Sequence, residues 1–194
     1  MQLELLLGHV ISMLESNLPK DLLYHNCQHT LDVKYAASKY AILEEINEED
    51  SNIVVSASIL HDIGYLVKYH ENEPEAVKIS KELLPKFGYN QSQIDKICKC
   101  IMATIIPQKA ETLIEKIVCD ADLDYLGSSD YAMTAQKLKK EWISYGLISN
   151  DDLEWNKVQY DFILNHNYFT ESAKKLRNST KLENLKIIEN KLIF

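Results

Sequence analysis

Apolar residues recur at helical spacing along almost the whole chain. In residues 2–17 and again in residues 28–46, they repeat at positions i, i+3, i+4 and i+7. Residues 51–67 are apolar on nearly every side, which predicts a central, buried helix. No alternating run is bounded by hairpin turn residues. The pattern therefore predicts an all-α fold, a single-domain helical bundle over residues 1–194.

Capping and turn residues divide the rest of the chain into further helices. Pro74 is expected in the first turn of one helix, where no amide donor is needed. Asn90 and Gln93 have the spacing of a capping box, and Thr180 with Glu183 predicts the start of a last helix. Other helices are expected over residues 111–126, 130–145 and 151–166.

Three short segments combine histidine with carboxylate side chains. They are Tyr24–His29, the doublet His61 and Asp62, and Asp120–Asp124. A carboxylate in the middle of the most apolar predicted helix is costly unless it is paired or bound to a metal. Histidine and carboxylate are common ligands of divalent metals. Each segment alone is typical of ordinary core or surface residues, but the three together indicate a metal site.

These segments resemble the signature of the HD-domain metal-dependent phosphohydrolases, a His, a His-Asp doublet and a distant Asp, all on helices. The resemblance runs over about residues 20–180. It implies a bundle of the HD-domain type, with a metal-site core over about 20–130 and C-terminal helices over about 130–194 packed on it. The ligands it implies are His29, His61, Asp62 and Asp122. Asp120 stays open as the alternative to Asp122.

The first segment also resembles the Tyr-His-Asn-x-x-His motif of cyclic-nucleotide phosphodiesterases, whose first His is a general acid. This implies that His25 is the acid, while Asp62 holds the ion and orients or deprotonates the water. Asp120 and Asn26 are expected to support the ligands rather than to bind the metal. The phosphodiesterase arrangement His-Asp-x-x-His is absent, so we expect one divalent ion: Mn, Fe, Ni, Co, Zn or Mg.

Four further side chains are candidates for contact with substrate. Arg177, the one arginine of the chain, can bind phosphate through its planar fork, although a surface ion pair is at least as ordinary a role. His70 and Lys109 lie in predicted loops, where either could approach a phosphate. Tyr125 follows the acidic segment and could contact a sugar or base, or simply pack in the core.

Net charge, apolar runs and cysteine spacing limit the kinds of partner and cellular location that we expect. The net charge of −8 argues against long nucleic acid, and the basic runs at 137–140 and 174–175 are typical of solvated helix faces. No apolar run approaches the length of a membrane span, and no signal peptide is recognisable. The four cysteines match no metal or disulfide pattern. We therefore expect a cytoplasmic protein that acts on a small phosphorylated molecule, with oligomeric state left open.

The leading hypothesis is a metal-dependent phosphohydrolase that cleaves a phosphate ester, with a nucleotide as first choice, through a metal-activated water. One alternative is a cyclic-nucleotide or cyclic-dinucleotide phosphodiesterase, which His25 motivates. Another is a non-catalytic module that binds metal and nucleotide to regulate a partner. An iron oxygenase is also conceivable, but the chain lacks the additional histidines that a two-iron site needs.

Overall fold

The computed structural model describes residues 1–192, and every regular element in that range is helical. The α-helices are α1 (Leu3–Asn17), α2 (Cys27–Leu43), α3 (Glu48–Leu60), α4 (Asn72–Leu83), α5 (Gln91–Ala103), α6 (Leu113–Asp122), α7 (Tyr131–Ser144), α8 (Asp152–Asn165) and α9 (Glu171–Leu192). Short 3₁₀ helices cover Ile63–Leu66, Leu84–Phe87 and Asp124–Gly127. The predicted all-α class is confirmed. Within the described range, no helix combines the length and the apolar character that crossing a membrane requires.

The larger core lies among α1 to α6. Its fully buried members are mainly aliphatic, for example Ile53, Leu60, Ile97 and Ile117. Helix α3 packs against α1, α2, α5 and α6, and all of its residues from Ile53 to Leu60 are buried. The prediction of a central buried helix is therefore confirmed, because only a helix with neighbours on every side can bury apolar residues all round.

Helix α3 ends earlier than the sequence predicted. Its last helical residue is Leu60, and Asp62 has already left the helix, with φ −102° and ψ 3°. A Cβ at Gly64 would lie 1.9 Å from the backbone oxygen of Asn72, so α4 packs directly on the turn that follows α3. The His61–Asp62 doublet consequently lies at the end of the apolar helix and not in its middle.

A smaller core lies between the Asp124–Gly127 turn and helices α7, α8 and α9. Its buried members include Leu126, Tyr131, Trp155 and Ile188. We refer to this part, residues 124–192, as the C-terminal unit, and to α1–α6 as the HD core. The unit is smaller and richer in aromatic side chains than the HD core.

Capping explains most helix starts. The capping box of Asn90 and Gln93 is confirmed, and Thr112 with Glu115 forms a second one that the sequence analysis missed. The predicted helix start at Thr180 is wrong, because Thr180 lies inside α9, which runs without a break from Glu171 to Leu192. The Thr-x-x-Glu spacing also occurs inside helices, and neither Gly nor Pro interrupts this one.

Candidate metal centre

His29, His61 and Asp122 meet where the start of α2, the end of α3 and the end of α6 converge. The two Nε2 atoms lie 3.3 Å apart, and each is 3.4 Å from Oδ1 of Asp122. The ligand atoms of the three residues all lie within 4.8 Å of one another. Two imidazole nitrogens and a carboxylate oxygen at this separation suit one divalent cation.

Asp62 adds a fourth donor to this cluster. Its Oδ2 lies 3.1 Å from Nε2 of His61 and 3.4 Å from Nε2 of His29. That oxygen is buried, yet it accepts no well-aligned hydrogen bond from the described residues. A buried carboxylate oxygen without a partner is costly, and a cation bound between the four side chains would satisfy it. The donor set therefore fits a divalent metal.

The charged groups of the cluster shift one another's pKa. Burial alone would raise the pKa of Asp62 and Asp122, but the neighbouring histidines hold both below the usual range. Burial would likewise lower the pKa of His61, yet the charges and hydrogen bonds of the two aspartates raise it well above the ordinary value. A metal ion would take the place of the proton that these carboxylates now favour on the histidine.

Local structure orients both histidines. Asn26 caps α2, and its side chain accepts hydrogen bonds from the backbone amides of Gln28 (2.9 Å) and His29 (3.2 Å). This fixes the first turn of α2, on which His29 lies. Nδ1 of His61 lies 2.8 Å from the carbonyl oxygen of Ser58, so that the Nε2 atom points into the cluster.

His25 lies beside the cluster and is paired with Glu141 of α7. Nδ1 of His25 hydrogen-bonds with one carboxylate oxygen of Glu141, which also accepts from the Tyr69 hydroxyl at 3.0 Å. The other oxygen accepts from the backbone amides of Tyr24 (2.8 Å) and His25 (3.1 Å). Glu141 is 0% exposed. Three of these four contacts therefore hold the segment that carries His25.

The ion pair changes the pKa of both groups. Burial alone would lower the pKa of His25, but the hydrogen bond to Glu141 and the nearby carboxylates raise it. Burial alone would raise the pKa of Glu141, but His25 lowers it. The sequence analysis missed Glu141. A usable signal was its place on the apolar face of α7, next to Leu138 and Trp142.

Asp120 does not contact the cluster. Its carboxylate accepts hydrogen bonds from the backbone amides of Phe169 (2.7 Å) and Thr170 (2.8 Å), and from the Thr170 hydroxyl (2.7 Å). The expectation that it supports a metal ligand is wrong, because residues two apart on α6 point to nearly opposite sides of the helix. Asp120 instead holds the start of α9, and Asp122 is the carboxylate that faces the histidines.

Arg177 is engaged within the protein. Its guanidinium donates from Nε to Oδ1 of Asp124 (2.7 Å) and from Nη2 to Oδ2 (2.6 Å). The predicted phosphate clamp is therefore corrected: the planar fork already binds a carboxylate and ties α9 to the Asp124–Gly127 turn. Lys109 is corrected as well, since it lines a separate groove that includes none of the four cluster residues.

Two cavities flank the cluster. The first has a volume of about 250 Å³, and the residues that line it include Gln28, Asp32 and Lys137. The second has a volume of about 390 Å³, is rich in aromatic side chains and includes His25 and His70. Tyr24, Asp122 and Tyr125 line both cavities. His70 and Tyr125 thus lie where a substrate of the cluster could reach them, and their roles stay predictions.

Comparisons with known proteins agree with this arrangement. A model of the HD domain family matches residues 27–124, just over half of the chain, and this range contains all four cluster residues. A curated relative, an uncharacterized protein of Clostridium beijerinckii, is 36% identical over 81 residues. That match covers 40% of this chain and 51% of the relative, so the chain spans about half of the relative's length.

Solved structures share the fold over nearly the full length. Bacillus subtilis YpgQ in complex with ADP has a TM-score of 0.67 at 19% identity, covering 98% of this chain and 97% of YpgQ. A predicted HD superfamily hydrolase from an uncultured Thermotogales bacterium has a TM-score of 0.64 at 20% identity, covering 96% and 91%. With the family match spanning the whole His and Asp cluster, the chain belongs to the HD domain family.

Proposed function

We propose that the protein is a metal-dependent phosphohydrolase that cleaves a phosphate ester of a nucleotide. The observation that carries the proposal is the buried oxygen of Asp62, which accepts no hydrogen bond from the described residues although it lies in a cluster with two histidines and Asp122. His29, His61, Asp62 and Asp122 would hold one divalent ion. When bound, such an ion lowers the pKa of a water molecule and draws charge off a phosphoryl oxygen.

The remaining chemistry falls to two side chains on the edge of the cluster. Asp62 orients the attacking water and accepts its proton as the new P–O bond forms. His25 donates a proton to the ester oxygen as the old P–O bond breaks, so the leaving group departs as an alcohol. Because Glu141 engages Nδ1 of His25 and favours the protonated ring, the Nε2 atom is available for this donation.

Two observations support a nucleotide as the substrate. YpgQ, which shares the fold along 98% of this chain, has been crystallised with ADP. The cavity beside the cluster is lined by aromatic side chains, on which a base can pack. The pair of His25 and the buried Glu141 also makes a cyclic-nucleotide or cyclic-dinucleotide phosphodiesterase a second candidate, since both activities need an acid at the leaving oxygen.

A substrate screen tests the proposal. Protein stripped with chelator is reloaded with Mn²⁺, Fe²⁺, Co²⁺, Ni²⁺, Zn²⁺ or Mg²⁺ and offered nucleoside mono-, di- and triphosphates together with cyclic nucleotides. We expect metal-dependent hydrolysis that Asp62→Asn abolishes and Asp161→Asn, an exposed carboxylate on α8, leaves intact. Turnover of cyclic substrates alone would select the phosphodiesterase. Metal and nucleotide binding without any turnover would overturn the proposed hydrolase activity and favour a non-catalytic regulatory module.

A further inference from the structure

The larger cavity extends from the cluster into the C-terminal unit. Asp62 and Asp122 line one part of it, and Trp142, Trp155 and Phe162 line another. Ligand sites are typically concave and mostly apolar, with a few polar groups that orient the ligand. This cavity opens to the surface, has a volume of about 390 Å³ and combines aromatic walls with a few polar side chains, so it has the size and lining of a small-molecule site.

Apart from the imidazole of His25 beside the cluster, the charged groups in the walls of this cavity are carboxylates. They belong to Asp62, Glu71, Glu73 and Asp122, and neither lysine nor arginine is among the described residues that line it. Burial and the charges of the two aspartates raise the pKa of Glu73. An anionic group bound away from the metal cluster would thus lack a cationic partner, so the part of the ligand that fills the cavity is uncharged.

Two hydrogen-bond donors on α8 are left for this ligand. Trp155 is only 2% exposed, and its indole N–H has no partner among the described residues, although buried indole donors normally have one. Gln159, one helical turn later, accepts a hydrogen bond from Tyr131 on Oε1 at 2.6 Å, which leaves its Nε2 to donate. Both residues line the cavity.

We propose that this cavity binds the base of the nucleotide, a neutral heteroaromatic ring whose acceptor atoms receive hydrogen bonds from Trp155 and Gln159. The aromatic side chains of α7 and α8 pack on the ring, and the ester points toward His25 at the other part of the cavity. That the phosphate ester points toward His25 rests on the proposed function. The base site itself is built from residues that bind no metal, so it can be tested in metal-free protein.

Tryptophan fluorescence provides a direct test, because the only two tryptophans of the chain both line the cavity. Metal-free protein is titrated with adenosine and with guanosine, which carry no phosphate. We expect saturable quenching. Losing one hydrogen bond in Trp155→Phe or in Gln159→Leu should weaken binding about fivefold or more. Gln136→Leu, on the exposed face of α7 and outside the cavity, should change it less than twofold.

The two variants on α8 keep the test decisive if one of them fails to fold, which circular dichroism would reveal. If neither adenosine nor guanosine quenched the fluorescence, the proposal would be overturned. So would 1-naphthyl phosphate binding as tightly as adenosine monophosphate, because naphthalene has no ring acceptors. Metal-dependent hydrolysis without nucleoside binding would leave the proposed function standing and remove this inference. Nucleoside binding without hydrolysis would support the base site and remove the proposed function.

Discussion

The HD core and the C-terminal unit differ in what fills them. Aliphatic side chains such as Ile53 and Ile97 fill the first, and the polar side chains of its metal cluster point at one shared position. The second is built around Trp155, which meets Trp142 edge to face at 5.6 Å, and it borders a cavity. Dense aliphatic packing fixes side chains in place, whereas an aromatic core with a cavity leaves room for a ligand. We infer that the HD core holds the ion and the C-terminal unit holds the organic part of the substrate.

Buried polar contacts join the two regions. Glu141 reaches from α7 to His25, Asp120 reaches from α6 to the start of α9, and the Tyr40 hydroxyl of α2 donates to Asp124. Buried charged groups are tolerated only when they are fully paired, so each contact fixes one relative position of the two cores. We therefore expect substitutions of the metal ligands to change metal content and activity, and substitutions of the joining residues to change stability or the position of His25.

The largest expected effect is a loss of metal and activity when a ligand in the HD core is replaced. Replacing Asp122 by Asn removes an anionic donor from the cluster, so bound metal should fall from about one ion per chain to almost none. Because the metal contributes several kcal/mol of transition-state stabilisation, hydrolysis should drop on the order of 10³-fold. Elemental analysis and phosphate release measure the two quantities. Full metal occupancy in this variant would show that Asp122 is not a ligand.

Substitution of Asp120, two residues before Asp122, should lower stability and leave metal binding unchanged. Asp120→Ala leaves the backbone amides of Phe169 and Thr170 and the Thr170 hydroxyl without their acceptor. We expect a loss of about 3 kcal/mol in the free energy of unfolding, with unchanged metal content. For a chain of this size that lowers the melting temperature by roughly 6 to 12 °C. A stable variant that had lost its metal would reverse the roles assigned to the two aspartates.

These two aspartates also show how far sequence reasoning reaches. The convergence of His29, His61 and Asp122 could be predicted, because their residue types and order match a known signature and the structure brings them together. The role of Asp120 could not, because its partners Phe169 and Thr170 lie about 50 positions later in the chain. Spacing along one helix determines which residues share a face, but not what packs against it.

The C-terminal unit was the less predictable region. Glu141 follows the basic run 137–140, which is typical of a solvated face, yet it is buried against His25. Arg177 is a candidate for phosphate by its residue type, yet its guanidinium binds Asp124. Thr180 has a capping pattern that the continuous packing of α9 overrides. For Glu141 and Arg177 a distant partner decides the outcome, and the local pattern does not identify that partner.

The contact between the two regions can be weakened by Glu141→Gln. The amide can no longer charge-pair with His25, so we expect kcat to fall about 10- to 100-fold with little change in KM. Glu141 raises the pKa of His25, and the acid must be protonated to act. The alkaline limb of the kcat profile should therefore move to lower pH in the variant. Tyr69→Phe, which leaves the carboxylate in place, is the matched control. A rise in KM at constant kcat would give Glu141 a purely structural role.

The smallest effect is a pH dependence of stability confined to the C-terminal unit. His166 packs between Phe162 and Tyr168, and burial with the nearby charge of Lys181 lowers its pKa to about 4. The folded protein keeps this ring neutral, whereas the unfolded chain binds a proton near pH 6.5. The stability that His166 contributes is thus complete above pH 6.5 and is lost as pH falls toward 4.

By pH 4.5 this loss should reach on the order of 2 kcal/mol relative to His166→Phe, which has nothing to protonate at that position. Urea unfolding of both proteins between pH 4.5 and 7.5 measures the difference. His9→Gln, at an exposed site on α1 in the HD core, should follow the native profile. Parallel profiles for the native protein and His166→Phe would mean that the aromatic core accommodates a charged imidazole. The C-terminal unit would then be more open to solvent than its packing implies, and a neutral ring would no longer be its natural ligand.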